Sequence, residues 1–275
     1  MSPPQAPELP FAVSLSADHP GLDDLDYRRR RDAIAALARA YVPGTTPAAV
    51  EYTDEEQATW RKIWSHLKPA HEMHASAEVL DSIGKWAPWT LPIPQLHELS
   101  EPGGPLEGTG IRFEPVPGLV PSVEFFAGLG RDVFLSTQYM RHPSRPLYTP
   151  EPDLVHEFVG HAGTFSIPGV AEVSGAFGRA ARGASGAKLK RLERLYWFTI
   201  EFGLVLEGGK PKAFGAGLLS SAGELARLDR VDVRPFSIAE IEATPYGTDD
   251  VQPVLFVAPS CEHLLTETLA ALLDG

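Results

Sequence analysis

The sequence predicts a mostly helical α+β protein on three observations. Amphipathic helical patterns recur near both ends, short apolar runs lie between turn-formers, and a proline-dense middle forbids long regular elements. Residues 1–17, rich in Pro and Ala, read as a flexible arm, and 18–275 as one folded domain.

From Asp24, Tyr27, Ile34, Leu37 and Tyr41 recur at helical spacing until Pro43-Gly44 stops them. Thr53-Asp54-Glu55-Glu56 is a capping box, in which a hydroxyl and a carboxylate each accept the other residue's backbone N–H; the helix that follows carries Trp60, Ile63, Trp64 and Leu67 on one stripe. Between Trp86 and Pro121, prolines at 88, 92, 94, 102, 105, 115, 117 and 121 predict packed loops and short strands. Aromatic and aliphatic residues are spread through that stretch, so it is not a linker. Val133-Phe134-Leu135 predicts a strand, and Thr149-Pro150-Glu151-Pro152 a rigid lead-in to a helix capped by Asp153. That helix is expected to stop at Gly160, leaving His156 in its first turn and His161 just past its end. Leu195–Leu206 reads as a buried helix, 251–257 as a short strand, and Ser260 as the cap of a last helix carrying Leu264, Leu265, Leu269 and Leu272.

Composition narrows the function classes. With 36 acidic and 24 basic residues the net charge is -12, which disfavours nucleic acid or an anionic membrane as partner; Arg28 to Arg31 read as a solvated helix face. Cys261 is the single cysteine, so disulfide frameworks, thiolate zinc sites and iron–sulfur clusters are excluded and metal ligands must be His, Asp or Glu. No basic head precedes an apolar core at the start, and no run of 18 apolar residues occurs. A soluble cytoplasmic protein is expected.

One combination reads as a metal site. Glu201 lies in an apolar stretch with no Lys or Arg three or four positions away, and a buried carboxylate needs a cation. Two imidazoles, His156 and His161, can hold one. They are five apart rather than the four of the zinc-protease HExxH pattern. Two His and one carboxylate leave three positions open, which suits non-haem iron(II) and oxygen chemistry; zinc with one water also fits, with Glu157 as a hydrolase base. The ligands alone do not choose. Phe158, Phe165, Tyr196, Trp197, Phe198 and Phe202 crowd the neighbourhood and favour a flat, apolar ligand. His66, His71 and His74 form a rival cluster, expected at the surface of a charge-rich helix.

Leu135–His142, Tyr148–His161, Tyr196–Leu204, Gly215–Ser221, Asp18–Gly21 and Gln252–Ala258 together resemble the pterin-dependent aromatic amino acid hydroxylases, nearest the phenylalanine hydroxylase branch of short bacterial type. The resemblance covers nearly the whole chain from residue 18. It implies a single catalytic domain at 18–275 that holds iron(II) by His156, His161 and Glu201 and uses a tetrahydropterin, tetrahydrobiopterin or another, with O2 to hydroxylate an aromatic amino acid. By motif position it implies a pterin stacked on Phe125, with Val120 and Ser122 lining its loop and Glu157 at its edge. Arg141 would pair with the substrate carboxylate, helped by Thr149 and the loop of Asp153; Pro152, Trp197 and Phe202 would line the ring pocket, and Ser220 would orient His156. Departures are Ala162-Gly163-Thr164 after the second His and Leu135 where a polar residue is common; residues 162–165 would set pocket shape. The regulatory domain and tetramer-forming tail of animal members have no counterpart, so a monomer is expected. Trp197 is similar to the phenylalanine and tyrosine enzymes. Conversion of L-phenylalanine to L-tyrosine is the leading expectation. Alternatives are meta-hydroxylation, 5-hydroxylation of tryptophan, a His2Glu zinc hydrolase, and a non-catalytic pterin or amino-acid binding protein.

Overall fold

Helices dominate the computed structural model, which describes residues 13–86, 92–147, 149, 151–247 and 252–274. The first twelve residues of the expected arm, and Val251 of the expected strand, lie outside the described residues. Of the remaining arm, Val13 donates its N–H to Asp32 at 2.9 Å.

Helix α1 (Leu25–Arg39) starts where Asp24 accepts the N–H groups of Asp26 and Tyr27. Helix α2 (Asp54–His74) opens with the full Thr53–Glu56 capping box, buries Trp60, Ile63 and Leu67, and runs on through Pro69. Helix α3 (Ala77–Trp86) follows at once. The proline-rich stretch yields α4 (Leu96–Ser100) and β1 (Arg112–Pro115), and Pro121 ends it by launching α5 (Ser122–Leu129). The expected strand is β2 (Val133–Ser136), paired in parallel with β1 so that Phe113 lies opposite Phe134.

After a long loop come a π-helical segment at His156–Ala162, α6 (Gly163–Phe165), α7 (Val170–Ala180), α8 (Gly186–Tyr196) and a second π-helical segment at Trp197–Glu201. Then follow β3 (Leu204–Glu207), β4 (Lys210–Ala213), α9 (Ala216–Leu219), α10 (Ala222–Leu225), β5 (Asp232–Pro235), α11 (Ile238–Ala243), β6 (Val254–Ala258) and α12 (Cys261–Leu273). The second sheet has the order β4-β3-β6-β5, with β6 parallel to both neighbours and β3 antiparallel to β4.

Two sequence expectations are corrected here. The helix carrying the histidines does not stop at Gly160; it widens instead. In a turn closed by i→i+5 hydrogen bonds, residues five apart come round to nearly the same face, which brings His156 and His161 together without a break. The apolar run at 195–206 is not one helix either. It leaves helical geometry at Phe202, and Leu204 and Val205 enter the sheet against β6 and β4. A buried strand and a buried helix are equally apolar, so periodicity cannot separate them.

One large core cluster gathers side chains from Trp60 to Leu272. Phe158, Phe165 and Phe198 belong to it, packed on Phe113, Phe134 and Phe256 respectively. Each such fully buried ring contributes about 1.5–3 kcal/mol. Among the described residues, no helix is long and apolar enough to cross a membrane.

Candidate metal centre and its pocket

The two π-helical segments aim their side chains at one point. His156 Nε2 and His161 Nε2 are 3.1 Å apart; Glu201, the last residue of the second segment, places Oε1 3.0 Å from His161 Nε2 and Oε2 3.5 Å from His156 Nε2. Among the described residues these three form the one group of potential ligands whose donor atoms all lie within 4.8 Å of one another. The spacing fits an ion: two ligands about 2.1 Å from a metal and at right angles to each other lie about 3 Å apart. The rival cluster does not assemble. His66 is exposed, while His71 is buried, against expectation, because α2 turns it inward onto the carbonyl of Leu219 at 2.7 Å.

The protonation states also fit. Ser220 Oγ donates to Gly217 O at 3.2 Å and therefore accepts from His156 Nδ1 at 3.1 Å, which leaves Nε2 of His156 with a bare lone pair facing Glu201. Burial pushes the His156 pKa down to about 4. For His161 burial acts the same way, but the adjacent Glu201 carboxylate overrides it and raises the pKa; the two histidines in turn hold Glu201 low against its own burial. Two imidazoles in their neutral form plus one carboxylate are the donor set of a divalent ion, which competes with protons for these groups.

Backbone contacts keep the segments in place. A Cβ on Gly160 would sit 2.7 Å from Ala216 O, so only glycine allows α9 this close to the first segment.

Glu157 points elsewhere. Its Oε1 accepts the N–H and hydroxyl of Thr137 at 3.2 and 3.1 Å. Burial pushes its pKa up to about 8, so near neutral pH it is mostly a protonated acid able to donate.

Arg141 and Asp153 form a buried bidentate pair, with Nε on Oδ2 at 2.8 Å and Nη2 on Oδ1 at 2.7 Å. Asp153 also accepts the backbone N–H of Arg141 at 2.9 Å and of His156 at 3.2 Å, acting as the expected cap. Arg141 Nη1 reaches Pro146 O at 3.4 Å. Three of five guanidinium donors are thus engaged, leaving one each on Nη1 and Nη2 for a carboxylate. Thr149 turns inward on its own loop: its hydroxyl donates to Glu151 O at 2.8 Å and accepts Glu151 N–H at 3.4 Å. The Pro152 carbonyl accepts from the Tyr139 hydroxyl, and from that of Thr137 at 3.5 Å.

Trp197 and Phe202 flank Glu201 and pack on each other, ring centres 4.7 Å apart. Phe202 lies flat enough on α9 that a Cβ on Gly217 would be 2.5 Å from its ring. Half-buried Phe125 is met edge-on by Phe134 and Tyr196, each at 5.5 Å; Phe134 in turn touches the His161 ring at 4.5 Å. Phe125 is thus one ring away from the centre with its face not stacked by those neighbours. Val120 is half-buried just before α5, and the Ser122 hydroxyl donates to Glu193 of α8, tying that loop to the helix behind it.

Sequence reasoning missed Thr137 as the partner of Glu157, the Arg141–Asp153 pair, and Tyr246, which stacks on Trp197 at 4.6 Å. Gln252 also escaped assignment; its Oε1 accepts from Trp197 Nε1 at 2.9 Å. These partners lie 12 to 55 positions apart, beyond any local period.

The pattern of the family described as biopterin-dependent aromatic amino acid hydroxylase matches residues 8–270. The chloroplastic phenylalanine 4-monooxygenase of Physcomitrium patens is 44% identical over 239 residues, covering 86% of this chain and 60% of its own. Tyrosine 3-monooxygenase of Drosophila melanogaster is 39% identical, covering 92% of this chain and 44% of its own. The structure of Chromobacterium violaceum phenylalanine hydroxylase with bound iron(III) and 7,8-dihydrobiopterin aligns with a TM-score of 0.73 at 30% identity, covering 81% of this chain and 82% of that one. The chain spans less than two thirds of the length of the curated relatives it matches.

Proposed function

This chain belongs to the biopterin-dependent aromatic amino acid hydroxylase family, and we propose that it is an iron(II)- and tetrahydropterin-dependent monooxygenase that hydroxylates the ring of L-phenylalanine to give L-tyrosine, with O2 as co-substrate. The observation that carries this reading is the convergence of His156, His161 and Glu201 within 4.8 Å on two π-helical segments. Bound there, iron(II) would supply oxygen activation at the expense of the reduced pterin.

The side chains around it then have assignable work. His156, His161 and Glu201 hold the ion on one face, and Ser220 keeps the lone pair of His156 turned inward. Phe125 offers its ring face to the pterin beside the loop of Val120 and Ser122, and protonated Glu157 donates to an acceptor on the pterin edge. The two remaining donors of Arg141 grip the substrate carboxylate, while Pro152, Trp197 and Phe202 wall its ring and exclude water. Thr149 shapes the loop that presents Pro152 and Asp153.

Phenylalanine is favoured by the 44% identity to a phenylalanine 4-monooxygenase, against 39% and 40% for two tyrosine 3-monooxygenases. We place the enzyme as a cytoplasmic monomer with residues 1–17 as an arm and no nucleic acid or membrane partner. A net charge of -12 opposes self-association and polyanion binding, and the lone cysteine calls for no oxidising compartment. Sedimentation velocity tests the monomer.

The experiment is anaerobic loading with iron(II), then addition of a tetrahydropterin, O2 and, separately, phenylalanine, tyrosine and tryptophan, with products resolved by chromatography. Para-tyrosine from phenylalanine is the expected product. Meta-tyrosine, hydroxytryptophan or dihydroxyphenylalanine as the main product would overturn the substrate assignment, and no hydroxylated product from iron-loaded protein would overturn the chemistry.

A further inference from the structure

Helix α9 is a single turn wedged between the two ligand-bearing segments. Ala216 O packs on Gly160 of the first, a Cβ on Gly215 would strike the backbone of Glu201 in the second, and Ser220 just beyond the turn holds His156. The position of this turn therefore sets how Ser220 Oγ meets His156 Nδ1. A one-turn helix leaves its last carbonyls without partners of its own, so something else must hold its end.

The holder comes from behind. His71 of α2, 2% exposed, lies 2.7 Å through Nε2 from the carbonyl of Leu219, the residue before Ser220. A carbonyl only accepts, so Nε2 carries the hydrogen and donates. Nδ1 of the same ring is buried with no hydrogen-bond partner. Burial keeps the ring below the ordinary histidine range and hence neutral. Leucine would fill this position without burying an unpartnered nitrogen, so packing does not account for an imidazole here; the N–H aimed at Leu219 does.

We propose that His71 is a positioning residue for the metal centre, acting on His156 through the Leu219 carbonyl and the Ser220 hydroxyl. The proposal rests on the metal reading above. Without the His71 donor the end of α9 is no longer held against α2, Ser220 loses its line to Nδ1, and the His156 ring is free to rotate away from the ion.

Cobalt(II) alone is the probe, with its d–d absorption giving both affinity and ligand-field pattern. Wild type, His71→Leu, His71→Gln, Ser220→Ala and the Leu/Ala double variant are titrated, and each metal-free protein is melted thermally. His71→Leu is expected to weaken cobalt binding about tenfold and move the d–d bands, since loss of an outer partner of a ligand costs about 10–100-fold. His71→Gln, whose amide can still donate, should return to within about twofold. In the Ser220→Ala background, His71→Leu should add less than about twofold, because the relay is already cut. Should His71→Leu fail to fold, His71→Asn, too short to reach Leu219, makes the same comparison. Unchanged cobalt affinity and bands in the Leu or Asn variant, or full multiplication of the two effects in the double variant, would overturn the proposal even if stability fell. Absence in wild type of a cobalt site that His156→Ala removes would overturn the metal reading, and this inference with it.

Discussion

Asp153→Asn is the most informative single change outside the metal ligands. Asp153 is fully buried and accepts four hydrogen bonds, from Arg141 N and Nε on one oxygen and from Arg141 Nη2 and His156 N on the other. Asparagine has the same shape but turns one oxygen into an NH2 donor, so two of the four bonds become donor against donor. Arg141, 3% exposed, keeps its charge and loses its counter-ion. Breaking a buried pair from one side costs about 3–5 kcal/mol. For a chain of this size that lowers Tm by on the order of 10 °C. Urea unfolding of the metal-free protein, followed by tryptophan fluorescence, measures it. The substrate KM should rise as well, because the Arg141 fork is no longer aimed. Replacing both partners with apolar residues, Arg141→Met with Asp153→Leu, should recover much of the stability and none of the substrate binding. A loss below about 1 kcal/mol for Asp153→Asn, or a double variant as unstable as the sum of its singles, would refute a dry, coupled pair.

Saturation with iron(II) or cobalt(II) at about 100 times Kd should stabilise the protein by about 2.7 kcal/mol in calorimetry, an increment that Glu201→Ala abolishes. Glu157 has a folded pKa raised by burial to about 8, above an unfolded value near 4.5, so its contribution to stability is full below about pH 4.5 and is lost as pH rises through about 8. Metal-free Glu157→Gln should therefore gain on wild type over that window, by up to about 4 kcal/mol, in urea titrations at a series of pH values; parallel pH curves would count against a protonated Glu157. Gly160→Ala should cost about 1–3 kcal/mol and weaken metal binding, because its Cβ would meet Ala216 O at 2.7 Å and neither backbone can yield without moving a ligand; a wild-type melt and affinity would argue against that contact.

Local chemistry in the chain accounts for much of this. The Asp24 cap, the Thr53–Glu56 box, the apolar stripe of α2, the short strand at 133 and the Ser260 cap are interactions between residues a few positions apart, and each is readable where it stands. The three metal-ligand candidates were legible for a similar reason: a carboxylate in an apolar run without a nearby cation is an imbalance that local sequence displays. What tertiary structure alone decided is how the chain resolves imbalances over distance. The five-residue spacing of the histidines becomes one face only because the helix widens where Gly160 meets α9. The run after Glu201 turns to strand only because β6 offers it hydrogen bonds, and Phe158, Phe165, Phe198 and Phe202 join the core because of what packs against them. His71, which reads as a surface residue of a charged helix, is turned inward onto a carbonyl 148 positions away. Hydrogen bonds and packing reward proximity in space, and proximity across such separations belongs to the folded chain rather than to any window of its sequence.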